Sequence, residues 1–304
     1  MSRVRFASAL AALLVSTPLI AQSEDESILV EGQRMSINRL VSDTINDAGV
    51  EALARFELKI CPGVVGLSLQ QAGKLADMIR ANIVALGGKV ENPGCTPNAT
   101  LILTEEPVEF VKQFAKREPG FFSMTPREFE QFTSRPRAVA SWHVSETRGR
   151  DGEELGGSDK VSDRKKRLGQ QGGASALASL SVGVNSTVNR NAAASRLYTN
   201  TRQEMMFGFA VIDSSKVQGK TIRQLADLAT LHLLLDIKQD AGANNRTSIL
   251  SLFEDRPEGS AAPMQLSSFD RAMVQGLYSP EENNRSAGQQ FTQIATAVKK
   301  AGNK

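Results

Sequence analysis

"AVIDSSKVQGKTIRQLADLATLHLLLDI", residues 210–237, is the stretch on which the fold turns. An apolar run ending at Asp213 reads as a strand, the polar residues up to Lys220 as a tight loop, and Thr221 onward as a long helix. Gly219-Lys220-Thr221 ends like a phosphate-binding loop. The first glycine of that motif falls on Ser214, however, and no companion strand ends in a magnesium-binding acid. A tight turn at Gly219 with Thr221 capping the helix accounts for the same residues. On a helix, Ile222, Leu225, Ala229, His232, Leu233 and Asp236 share one face, with Arg223, Asp227 and Thr230 opposite. His232 and Asp236, spaced i and i+4, are therefore expected to touch on an apolar seam.

Upstream, "RFELKI" (55–60) alternates as a strand. Ser68 sits at a helix start, Leu69, Ala72, Leu75, Ile79, Ile83 and Leu86 follow at helical spacing, and Gly87-Gly88 ends the run. "NATLILTEE" (98–106) is a second strand, which makes 55–106 a βαβ unit with a buried sheet. Two short helices follow, "EPVEFVKQFAKRE" and "TPREFEQFTSR", whose Phe110, Phe114, Phe129 and Phe132 are expected to pack on the sheet. In "AVASWHVSE" (138–146), Ala138, Ala140, Trp142 and Val144 line one face; Ser141, His143 and Ser145 line the other, which reads as the solvent side. Residues 147–175 hold seven glycines and twelve charges, too little apolar surface to offset ordering, and read as a flexible insertion within a long hairpin. "EMMFGFAVID" (204–213) is the second strand of that hairpin. After the long helix come helical segments, "LSSFDRAMVQGLYSP" with a serine cap and "SAGQQFTQIATAVKKA" with a docking stripe of Phe291, Ile294 and Val298. The fold class is α+β: a mixed sheet beginning with a βαβ unit, helices packed on it, and a helical C-terminal part.

The N-terminus has Arg3 and Arg5, an apolar run from Ala9 to Val15, and Ala21 before a polar stretch. That order reads as a signal peptide over 1–21. An N-terminal segment over 22–50 and a single globular domain over 51–304 follow. The protein is expected to be periplasmic or secreted, without a membrane span. The chain carries a net charge of +3, two arginines of which lie in the leader, so nucleic acid and anionic membrane have no electrostatic case. Cys61 and Cys95 are the only two cysteines, and in an oxidising compartment they are expected to pair. If 55–60 is the first strand, the two cysteines start at opposite ends of the sheet, and the connector from Gly87 to Pro97 must climb back for the sulfurs to meet.

The chemistry is sparse. Two histidines exclude sites that use three, and H-E-x-x-H, C-x-x-C and G-x-S-x-G do not occur. His232, Asp236 and His143 are the candidate acid–base or ligand residues, although a core histidine satisfied by a carboxylate explains the first two equally. No metal site and no cofactor are expected. The reading is an exported non-catalytic protein with a binding or cell-envelope role, its partner a protein or small molecule. The alternative is a hydrolase with a non-standard site around His232, Asp236 and His143.

The order strand, helix, strand, further strands and then a long helix resembles a metzincin-type, zincin-like protease core, and "LSSFDRAMVQGLYSP" (266–280) resembles the helix that follows its zinc helix, over roughly residues 55–280 in all. The chain also resembles a set of uncharacterised exported alphaproteobacterial proteins that share the look of "GFAVID…V.GKTIRQLADLATLHLL" and "SSFDRAMVQGLY". Set on the zinc motif, Ala226 and Thr230 take the two histidine positions, Asp227 the glutamate and Asp236 the third-ligand position. The resemblance thus implies a zincin-like scaffold that lacks the zinc-binding motif.

Overall fold

The computed structural model describes residues 37–46, 50–155, 199–258, 260–279 and 285–302. The expected leader over 1–21 and most of the expected insertion, 156–175, lie outside these residues. A short helix α1 at 37–44 opens the described chain. Then follow β1 (Pro62–Val65), α2 (Leu69–Ala85), β2 (Ala99–Thr104), α3 (Pro107–Arg117), α4 (Pro126–Phe132), β3 (Val139–Gly149) and β4 (Thr201–Asp213). α5 (Ile222–Leu234), a single helical turn at Ala241–Asn244, α6 (Ser268–Leu277) and α7 (Ala287–Gly302) follow.

The sheet is mixed, in the order β1-β2-β4-β3. β1 with β2 and β2 with β4 are parallel, whereas β3 and β4 form an antiparallel hairpin. The βαβ unit is present, but its first strand is not 55–60. Arg55 and Ile60 make only isolated bridges, and the strand begins at Pro62, where the missing N–H is tolerated on an edge. This shift corrects the expected disulfide geometry. Cys61 immediately precedes β1 and Cys95 precedes β2, so both lie at the N-terminal ends of adjacent parallel strands, with 6.0 Å between their Cα atoms. The connector has no climb to make.

Alternation along β2 and β4 divides the core in two. Leu101, Leu103, Ala210 and Ile212 face α2, α5, α6 and α7. Ile102, Val211 and Phe209 face an aromatic layer under α3 and α4, where Trp142 stacks between Phe209 (4.9 Å) and Phe122 (4.8 Å). All four expected phenylalanines join this layer, and the Trp142 indole N–H donates to the Phe121 carbonyl at 3.0 Å. Leu69, expected on the buried stripe of α2, is 94% exposed. It is the first residue of the helix, before the turn that meets the sheet, and burial begins at Leu75. β3 runs on to Gly149, so the first three residues of the expected insertion pair with β4.

α5 is capped as expected. Gly219 takes φ +77° in the turn, and Thr221 and Gln224 form a reciprocal capping box. The helix is buried nearly all round, because α2 and the segment before α6 cover the side opposite the sheet. Asp227 and Thr230, both inaccessible, share the Asn82 amide (2.7 and 3.2 Å), and Asp227 also accepts from the Leu266 N–H at 2.8 Å. α1 belongs to the same body: Val41 and Ile45 are in the core, and Ile45 bridges to Ile237. Among the described residues no helix is long and apolar enough to cross a membrane.

Candidate functional site

The two histidines meet where the last turn of α5 crosses the face of β3. Two features of the sheet bring them together. The hairpin register sets Ser141 opposite Ala210 and His143 opposite Gly208. Gly208 then admits the helix end: a Cβ there would stand 2.9 Å from the Leu233 carbonyl oxygen and 3.2 Å from His143 Cδ2. Only glycine leaves room for the backbone of α5 at that distance.

α5 stops at Leu234 because Leu235 turns extended and sends Ile237 to its bridge with Ile45. A helix end leaves carbonyls without intrahelical partners. Here side chains supply the donors. His143 Nε2 donates to the Leu233 carbonyl at 3.2 Å and the Tyr278 hydroxyl to that of Leu234 at 3.1 Å. A carbonyl only accepts, so Nε2 of His143 carries the proton. Burial lowers the pKa of this imidazole, against Asp236 and the backbone carbonyls, which favour the charged form. In the neutral ring Nδ1 is an acceptor, and it is buried with no hydrogen-bond partner among the described residues.

His232 pairs with Ser141, not with Asp236: Ser141 Oγ lies 2.8 Å from its Nδ1. Burial first, and then the neighbouring His143, pull the His232 pKa down to about 3. Asp236 is not on the helix at all. It follows the C-cap, accepts from Asn46 Nδ2 at 3.2 Å, and has its carboxyl pushed up by burial, with His143 and Asn46 opposing. The expected i, i+4 contact fails because the helix ends before Asp236. His143, expected on a solvent side, is half-buried beneath α5. The seam thus reads Ser141–His232 on one side and His143 beside Asp236 on the other.

Two clefts flank it, separated by residues 237–239. One, of about 480 Å³, is lined by Asn46, Ser141, His143, Ser145 and Asp236 together with Trp142 and Phe132. The other, of about 320 Å³, is lined by His232 with Arg135, Arg137, Lys216 and Lys238. His232 therefore borders a cleft as well as the core.

Chemically the arrangement offers a hydroxyl on an imidazole, but little to activate it. A base with a pKa near 3 holds a proton roughly a thousandfold less tightly than an ordinary imidazole. Ser141 sits in mid-ladder rather than on an exposed turn. Among the described residues no three His, Cys, Asp or Glu side chains converge as metal ligands. Ala226, Thr230 and Asp227, which the zincin resemblance sets on the zinc motif, are buried in the core, away from both clefts. Ser141 is the partner that sequence reasoning missed. Its period-2 relation to His143 was visible, but the helix crossing that pairs it with His232 has no local signal.

No protein-family model matches the chain, and neither a curated protein nor a solved structure matches it.

Proposed function

We propose that this protein is exported, periplasmic or secreted, and acts without catalysis, binding a small-molecule or protein partner in the clefts beside the His143–His232 seam. The observation that carries this reading is the use of both imidazoles by the scaffold, one on the Leu233 carbonyl and one on Ser141, next to open clefts with polar and aromatic walls. Clefts that combine an apolar wall with a few fixed polar groups are the usual form of a ligand site. Export is supported by the leader-like N-terminus and by the Cys61–Cys95 disulfide, a bond that persists in oxidising compartments. A degenerate zincin-like scaffold is part of the same proposal; its support is that β4 leads directly into α5, with α6 following.

A thermal-shift screen of the purified chain against small polar and aromatic metabolites tests the binding role. Ligands should raise the melting midpoint of the wild type and not that of Ser145→Trp, which fills the larger cleft. A hit that Ser145→Trp binds equally well would remove this cleft as the site.

The Ser141–His232 contact at 2.8 Å favours a second reading, a hydrolase with Ser141 as nucleophile. A fluorophosphonate probe separates the two. The non-catalytic reading expects no labelling; labelling that disappears in Ser141→Ala would establish the hydrolase instead.

A further inference from the structure

Arg137 stands two residues before β3 and lines the cleft that His232 also lines. Its guanidinium lies over the Phe132 ring, 5.2 Å from the centroid. Its Nε and Nη2 are buried and have no hydrogen-bond partner among the described residues. Those two atoms are one side of the guanidinium, with parallel N–H bonds that match two oxygens of a carboxylate or phosphate. The group stays cationic at neutral pH. The residue is half-buried, yet both N–H groups of this fork are out of water without a partner, which needs an explanation.

The neighbouring charges supply only part of one. Asp240 favours the Arg137 cation at a distance, but its carboxylate bonds Arg135 at 2.8 Å and makes no hydrogen bond to Arg137. Lys238 Nζ donates to the Ser42 carbonyl at 2.8 Å. Lys216 adds a further positive charge to the cleft, and Glu254 and Asp255 line it as well, so its walls carry four basic groups against three acidic ones. The Phe132 ring satisfies the face of the guanidinium but not its edge.

We infer that this cleft is a subsite for a small oxyanion, a carboxylate or a phosphate, seated on the Nε/Nη2 edge of Arg137 with Lys216 adding attraction. The inference rests on the binding reading above and names its ligand class. Because the edge is buried, the side chain has to rotate off Phe132 toward the cleft as the ligand enters, which its long flexible stem allows.

The experiment is a titration of the purified chain with inorganic phosphate and, separately, succinate, at constant ionic strength against chloride, read by melting midpoint and calorimetry. At about 10 mM of an anion bound with a Kd of about 1 mM, the midpoint should rise by about 3 °C. Which anion produces the rise identifies phosphate or carboxylate as the source. Arg137→Gln should weaken binding roughly 10-fold. Arg137→Lys, which keeps charge and stem but not the fork, should weaken it too, and it carries the test if the Gln variant fails to fold. A response no larger than that to chloride, or an affinity unchanged in the Arg137 variants, overturns the oxyanion subsite. If the anion response fails in this way while a ligand from the screen still binds the wild type and not Ser145→Trp, the oxyanion subsite falls and the binding reading stands. Fluorophosphonate labelling, by contrast, strikes the non-catalytic reading itself.

Discussion

Ser141 Oγ and His232 Nδ1 stand 2.8 Å apart, joining the edge strand β3 to the last turn of α5. Each side chain satisfies the other in a partly desolvated place, so deleting one strands its partner. Ser141→Ala should lower unfolding free energy by about 1–2 kcal/mol. In a His232→Leu background, where no imidazole needs a partner, the same change should have much less effect. Equal losses in both backgrounds, measured by urea unfolding, would show that the contact contributes nothing.

Gly208 is the position where the sheet admits the helix end. A Cβ there meets the Leu233 carbonyl oxygen at 2.9 Å, and backbone cannot move aside as a flexible side chain can. Gly208→Ala should therefore destabilise by roughly 1–3 kcal/mol and disturb the His143 environment. Histidine NMR shifts that match the wild type in a fully stable variant would refute this account of the close approach.

Acid should weaken the fold through the imidazoles. His232 is held at about 3, by burial first and by His143 second, and His143 is lowered chiefly by burial. In the unfolded chain both return to about 6.5. Between roughly pH 6.5 and 3 the unfolded chain binds more protons, so this contribution is complete above 6.5 and is lost as pH falls through that window. Asp236 and Asp270, both raised by burial, act in the opposite sense as they take up protons. His232→Gln removes the His232 share of this effect. Its loss of stability from pH 7 to pH 5 should be smaller than that of the wild type by on the order of 1–2 kcal/mol. Identical pH slopes for the two proteins would contradict the assignment.

The Cys61–Cys95 bond spans a sequence separation of 34. On chain-entropy grounds, opening it should cost about 3–4 kcal/mol, because the reduced unfolded chain regains the freedom of that loop. Paired Cys61→Ala and Cys95→Ala substitution should lower the guanidinium midpoint accordingly. A midpoint unmoved by the double change would mean that the loop is already restricted in the unfolded chain.

What the sequence determined by itself is what short-range physics controls. Strand and helix periods, the Ser68, Thr125, Thr221 and Ser267 caps and the Gly87 stop all depend on residues within a turn or two of one another. The mixed sheet, the hairpin and the single disulfide follow from the order of those elements and a cysteine count of two. Tertiary structure decided where α5 ends and what its last turn meets. Asp236 left the helix because Ile237 pairs with Ile45, almost two hundred residues away, and periodicity within 222–236 carries no trace of that partner. Likewise His143 became a helix cap and Ser141 a partner of His232 only because Gly208, on the neighbouring strand, lets backbone approach backbone. The first strand moved from 55–60 to Pro62–Val65 for the same kind of reason, since alternation marks a chain that could pair but not the stretch that finds a neighbour.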